Sequence, residues 1–297
     1  MWIVVTLIAT VFQTTRTAAQ GRLRDTLSVN AAGYVRYIVG APLAIGASLI
    51  VFTIGGHDLP VIPTRFWVIV TVAGVAQIIG TIALLTAFDR RDYAIGTVYS
   101  KTEVIQVAVF SAVLVDEPLR PLGWIATVIV LLGVVRLAVP TGTPISSIIR
   151  LRDRAAAAGV VAGGGFALAA TGIRWASSSL GDHPALPRAI LTLAAMNTVQ
   201  TFVNGAWLAA REPSAFRALA KQRRRTLPVG VLSVAGSAAW ALAMSLESAA
   251  KVRTLGQAEL LLAFVISHRW LRERHRPSEL VASGLVLVGI VGVTVFG

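Results

Sequence analysis

Apolar residues run through this chain in long blocks separated by short polar interruptions. A window of about 19 residues isolates ten such blocks, near 2–19, 29–53, 64–87, 92–115, 121–139, 155–174, 186–208, 227–249, 251–271 and 278–296. As α-helices, each is long enough to cross a hydrocarbon core of roughly 30 Å. Most connections are short, so consecutive helices are expected to be antiparallel neighbours. The two least apolar stretches are 140–154, with Pro140, Gly142, Pro144, Arg150, Arg152 and Arg154, and 211–226, which contains the run KQRRR at 221–225. The first of these connects two sets of five spans, residues 1–139 and 155–297.

The two sets are copies of each other. Glu103, Glu117, Arg120, Pro121 and Gly133 recur as Glu259, Glu273, Arg276, Pro277 and Gly289, at a constant ungapped offset of 156. Over residues 103–135 that offset gives 11 identities in 33 positions, six of which are Glu, Ser, Glu, Arg, Pro and Gly. Shared greasiness cannot supply such types, so the chain is an internal duplication. Gly80 and Gly236 match at the same offset, and Arg16 matches Arg174 at 158. An odd number of spans per copy makes the second copy enter the membrane the other way up. The expected fold is therefore an all-α membrane protein of ten transmembrane helices, arranged as two inverted five-helix repeats around a central cavity.

Composition agrees and removes several classes. A mean hydropathy of +0.73, with 55% hydrophobic and 14% charged residues, belongs to a polytopic membrane protein. The net charge of +13 lies in short loops between apolar blocks, where positive charge records membrane orientation and not affinity for nucleic acid. Cysteine is absent, and the four histidines (His57, His183, His268, His275) lie in or beside loops without ligand spacing. No metal or other cofactor is implied. The apolar run begins at Trp2 with no charged leader, which reads as a retained first helix. Odd-numbered connections carry 19 Lys and Arg against six on the even-numbered side. By the positive-inside rule both termini lie outside, in a multi-pass protein of the cytoplasmic membrane.

The stretches TEVIQVAVFSAVLVDEPLRPLGWIATVIVLLGVV (102–135), AELLLAFVISHRWLRERHRPSELVASGLVLVGIV (258–291) and AAGYVRYIVGAPLA (31–44) resemble the drug/metabolite transporter superfamily, specifically its EamA-type ten-helix members. The resemblance covers nearly the full length. It implies a bundle of two inverted repeats about a mid-membrane cavity that closes alternately from each side, with the fifth and tenth helices more peripheral. Val104 and Leu260 stand where such families usually have a proline after the first Glu, and Glu273-Arg274 stands where the first copy has Glu117-Pro118.

Polar groups inside apolar spans are the candidates for chemistry, because an ionisable group at bilayer depth is costly unless paired or wet. In the fourth span Tyr99, Glu103 and Gln106 are spaced i, i+4, i+7 and would share one helical face. Lys101 lies roughly 200° away round the same helix, directed elsewhere and leaving the Glu103 charge uncancelled. The ninth span places Gln257 and Glu259 where the fourth has Lys101 and Glu103, so the two acids are expected to face each other across the cavity. Such acids serve as proton-coupling or cation-binding groups with pKa raised by burial, or as hydrogen-bonded scaffold. Gln13 and Arg16 in the first span and Arg36 in the second offer hydrogen bonds to an anionic substrate group, against snorkelling or local neutralisation. Gln77, Asn197, Gln200 and Asn204 form polar stripes, read either as cavity wall or as interhelical hydrogen bonding. Of three tryptophans near span ends, Trp175, Trp207 and Trp240, the last is the deepest and the best placed to stack on substrate.

The expected activity is secondary transport, without nucleotide hydrolysis since no P-loop is present. The cargo is a small metabolite or drug-like solute moved outward by alternating access, with protons as the coupling ion. The mixture of acids, amides and an aromatic suits a modest polar or zwitterionic substrate. The partners expected are that solute and the lipid bilayer, with a monomer as the working unit and no nucleic acid. Two rival readings stand beside it. One is a lipid-linked carrier or headgroup flippase, and the other is a membrane-embedded enzyme, which would need a nucleophile and base clustered at one depth.

Overall fold

The computed structural model describes residues 1–21, 26–89, 93–139, 154–262 and 277–297. Among them every regular element is helical: α1 (Trp2–Gly21), α2 (Val29–Leu49) with a π-helical extension (Ile50–Ile54), α3 (Thr64–Asp89), α4 (Tyr93–Ser100), α5 (Glu103–Leu114), α6 (Pro121–Ala138), α7 (Arg154–Ser178), α8 (Ala185–Arg211), α9 (Ser214–Lys221), α10 (Arg223–Leu246), α11 (Ala249–Gly256) and α12 (Pro277–Phe296). Six stretches are long and apolar enough to cross a membrane: Val29–Ile54, Thr64–Thr86, Pro121–Ala138, Arg154–Ser178, Arg223–Leu246 and Pro277–Phe296. The protein is a multi-pass membrane protein, helical throughout the regular elements of its described residues.

Two of the ten expected spans are not continuous helices. The fourth, predicted over 92–115, is divided between α4 and α5 at Lys101-Thr102. The ninth, predicted over 251–271, begins in α11, is interrupted at Gln257 and resumes at 258–262 before passing outside the described residues. The two interruptions are 156 residues apart, the offset of the repeat. Neither contains proline. The seventh is a single 27-residue helix, α8. Asn197, Gln200 and Asn204 dilute its hydropathy, and all three are buried.

The chain forms two compact units that cut across the sequence halves: residues 1–78 with 172–247, and residues 79–171 with 248–297. In the first, α1 packs on α10, and α2 packs on both α8 and α10. The α2–α10 crossing is close, since a Cβ at Gly230 would strike the side chain of Val39. Gln200 of α8 donates to the Gly74 carbonyl (3.2 Å) and to Gln77 Oε1 (2.7 Å) of α3, an interhelical bridge with no water needed. The C-terminus of α10 is held by cations. Arg174 Nη1 donates to the Met244 carbonyl at 3.2 Å and Arg188 Nη2 to the Ser245 carbonyl at 3.2 Å, supplying both hydrogen bonds and positive charge at the negative end of the helix.

In the second unit α6 and α12, the corresponding helices of the two repeats, pack through reciprocal glycines. A Cβ on Gly133 would lie 2.7 Å from Val286 Cγ2 and 2.9 Å from the Ala282 carbonyl. A Cβ on Gly289 would lie 2.5 Å from Val130 Cγ2 and 2.9 Å from the Ala126 carbonyl. Ala126, Val130 and Gly133 are the repeat equivalents of Ala282, Val286 and Gly289, so each helix offers the other the same patch. The repeated Arg-Pro marks the start of these helices. Pro121 fills the first position of α6, where its missing N–H costs nothing, and Pro277 opens α12. Upstream of Pro121, Asp116 adopts φ 58° and the Glu117 N–H reaches the Ser111 carbonyl at 3.0 Å, which closes α5. Glu273 and Arg276 of the second copy lie outside the described residues.

Candidate functional site at two helix breaks

Local chemistry explains why the fourth span breaks. Ser100 Oγ donates back to the Thr97 carbonyl (2.8 Å) and Thr102 Oγ1 to the Tyr99 carbonyl (2.6 Å), competing with the helical ladder. Around them the backbone tightens to i→i−3 bonds: Lys101 N–H to Val98, Thr102 to Tyr99, Val104 to Lys101 and Ile105 to Thr102. In the ninth span Gly256, a poor helix former, precedes the interruption, and the N–H groups of Gln257 and Leu260 again bond three residues back. Gln257 is buried, its Nε2 donating to the Arg253 carbonyl at 3.4 Å.

Breaking these spans places helix ends, and therefore charges, in the interior of the second unit. Glu103 becomes the first residue of α5, where the dipole favours an acid. Arg253 falls in the last turn of α11, where it favours a base. The two are paired: Arg253 Nε donates to Glu103 Oε1 at 2.6 Å, and Nη2 contacts the same oxygen. A second pair joins the same two breaks in the opposite sense. Lys101 Nζ donates to Glu259 Oε1 at 2.8 Å. Each repeat acid is thus neutralised by a cation from the other repeat. Side-chain exposures are 12% and 8% for Arg253 and Glu103 against 14% and 20% for Lys101 and Glu259, so the first pair is the drier.

Three expectations about these residues change. Lys101 pairs with Glu259, and the Glu103 charge is not left uncancelled, because Arg253 holds it. The acids do not confront each other bare, since each carries its own cation. Tyr99 and Glu103 also belong to separate helices, so the i, i+4, i+7 spacing does not describe one continuous face. Arg253 was missed because it sits just after a predicted boundary and counts there as loop charge. Its signal lay in Gly256, which shortens the helix that carries it.

The floor of the fourth-span break is α7. A Cβ at Gly163 would lie 2.9 Å from the Ser100 carbonyl and 3.0 Å from the Glu103 nitrogen, and one at Gly159 would meet the Gly96 carbonyl at 2.6 Å. Only a stripe without side chains allows α7 this close. Gln106 completes the wall, donating to Thr102 Oγ1 at 2.9 Å and to the Val160 carbonyl at 3.4 Å.

The remaining candidates belong to the first unit. Gln13 and Arg16 are half-buried on α1, and Arg36 is buried on α2 with its guanidinium 5.7 Å from the Tyr37 ring centroid. Asn197 is buried with its side-chain amide against Gly40, and Gln77 is the partner of Gln200. Trp240 is 7% exposed, against 37% for Trp175 and 42% for Trp207. No grouping of His, Cys, Asp and Glu suited to a metal ion occurs among the described residues.

A multi-pass helical fold with ion-paired side chains at two interrupted spans has the organisation of a solute transporter. The model of the EamA-like transporter family matches residues 1–139 and again residues 157–295, and the chain belongs to that family. A solved crystal structure is similar with a TM-score of 0.69 over 99% of this chain and 97% of the other; at 15% identity the likeness is one of fold. No curated protein matches the sequence.

Proposed function

We propose that the protein is a secondary transporter that exports a small zwitterionic or polar solute by alternating access, with ten crossings in two inverted repeats and with Glu103 as the coupling acid. The observation that carries this is the crossed pair of ion pairs, Glu103–Arg253 and Lys101–Glu259, at equivalent helix breaks. A buried ion pair is a weak stabiliser relative to apolar packing. Two of them where both spans exchange their regular helical ladder for i→i−3 bonds are better suited to exchange than to structure. A zwitterion carries one group for each side: its ammonium replaces Arg253 on the Glu103 carboxylate, and its carboxylate takes the guanidinium, which presents a planar donor fork to such a group. A proton on Glu103 likewise weakens its hold on Arg253, so proton and substrate compete for one carboxylate and their movements become linked.

The reciprocal Gly133 and Gly289 contacts support a twofold relation between the repeats, which alternating access requires. A flippase is less well supported, because the charged centre holds two anions as well as two cations and a phosphate headgroup would meet Glu103 and Glu259. The test is a thermal-shift screen on the purified protein with matched zwitterionic, anionic and cationic solutes. Zwitterions should raise the apparent melting temperature according to RT ln(1 + [L]/Kd), and Glu103→Gln should abolish the shift. Stabilisation by cations alone, undiminished in Glu103→Gln, would overturn the proposal.

A further inference from the structure

Six basic residues gather at one edge of the first unit. Arg211 ends α8, Arg217 and Lys221 lie one turn apart on α9, and Arg223, Arg224 and Arg225 form the first turn of α10. All six are exposed, and among the described residues none of them forms an ion pair. The one acid in the segment, Glu212, is directed away. It accepts from Ser28 Oγ at 2.6 Å and Asn30 Nδ2 at 2.8 Å at the start of α2. The arrangement opposes local stability. Arg217 and Lys221 repel at i, i+4, and three arginines occupy a helix N-terminus that is already positive, with no acid in that turn. Charge of this density calls for an external anion.

An apolar groove opens directly beside it. Val35, Ile38 and Val39 of α2 form one wall and Phe216, Leu219 and Ala220 of α9 the other, with Thr226 of α10 at one end, enclosing about 250 Å³. The groove is built and does not collapse: Phe216 is fixed edge-on against Tyr34 (ring centroids 5.9 Å, planes 85° apart), and Ala215 and Leu219 anchor α9 inward. Arg217 and Lys221 alternate with the groove residues on this single short helix, so one ligand can meet both. Because Arg223 also begins an apolar span, the groove and cluster stand where that span leaves the hydrocarbon.

We propose that this is a binding site for an anionic phospholipid, with its phosphate against the Arg217–Arg225 cluster and part of one acyl chain in the groove between α2 and α9. A soluble anion would satisfy the charges and leave the groove unused. A zwitterionic lipid would fill the groove and bring its own cation against the arginines. The inference rests on membrane insertion and not on the transport reading.

The experiment measures lipid retained by the full-length protein in neutral detergent by native mass spectrometry, with dioleoyl phosphatidylglycerol and dioleoyl phosphatidylcholine as probes. The wild type should hold one phosphatidylglycerol at least about tenfold more tightly than phosphatidylcholine. Arg223→Gln, Arg224→Gln and Arg225→Gln together should weaken phosphatidylglycerol about 10- to 100-fold, from the usual contribution of each basic residue beside an anionic lipid. Ala220→Phe, which fills the groove, should weaken it while leaving the charges in place. Glycerol phosphate at equal concentration should not compete. If the triple variant does not fold, raising salt from about 0.1 to 0.5 M decides the matter on the wild type, since only the phosphatidylglycerol adduct should be lost. Equal retention of the two lipids, an adduct indifferent to salt, an adduct that survives Ala220→Phe, or full competition by glycerol phosphate would each overturn the site.

Discussion

Replacing Glu103 with Gln removes the charge that holds Arg253 and nothing of comparable volume. At an effective dielectric near 20, two unit charges about 4 Å apart attract by about 4 kcal/mol. Removing one partner of a buried pair costs about 3–5 kcal/mol. With side-chain exposures of only 8% and 12% for Glu103 and Arg253, little solvent screening applies, so Glu103→Gln and Arg253→Gln should each fall within that range. The double variant should cost less than their sum, because both single substitutions lose the same contact. An interaction energy of about 2–3 kcal/mol is expected from the cycle, measured by unfolding the four proteins in mixed micelles. The same cycle on Lys101 and Glu259 should give a smaller value, since these side chains are 14% and 20% exposed. Additivity of the Glu103 and Arg253 substitutions within about 0.5 kcal/mol would refute the pairing.

Further outcomes follow from the helix contacts and the loop charges. Gly163→Ala should destabilise by about 1–3 kcal/mol, because its Cβ would sit 2.9 Å from the Ser100 carbonyl, which cannot move without closing the break. Gly164→Ala, whose Cβ would meet only the movable end of Gln106, should be neutral or gain up to about 1 kcal/mol from helix propensity. Gly133→Ala and Gly289→Ala should be damaging to a similar degree, as reciprocal members of one contact, whereas Gly284→Ala, with nothing within 4 Å, should not be. Thermal unfolding of the five variants checks all of these. A C-terminal phosphatase fusion should be active and a green fluorescent fusion dark, and the reverse would place the C-terminus inside, against the 19-to-6 bias of loop charge.

Hydropathy made the apolar helices legible because bilayer crossing imposes length and composition directly on the sequence. The duplication was legible because Glu, Arg, Pro and Gly cannot recur by chance greasiness. The breaks at Lys101-Thr102 and Gln257 were not, since they arise from Ser100 and Thr102 bonding back to carbonyls and from Gly256, signals weaker than the proline usually sought. Once the breaks were missed, the partners were missed too. Helical periodicity does not run through the break, and it cannot show that Arg253, 150 residues away in the chain, lies against the Glu103 carboxylate. The compact units were hidden for the same reason, as each combines segments from both repeats. The amide stripe of α8 was seen, and its internal bond from Gln200 to Gln77 needed the packing to be identified.

Flux of a stabilising zwitterion through proteoliposomes under an imposed pH gradient tests the central claim most directly. Wild-type protein should drive uphill movement of the solute against entering protons. Glu103→Gln, reconstituted to equal density, should retain at most passive exchange and lose its response to the gradient. Wild-type flux indifferent to the gradient, or gradient-driven flux undiminished in Glu103→Gln, would contradict the account and reduce the crossed ion pairs to scaffold.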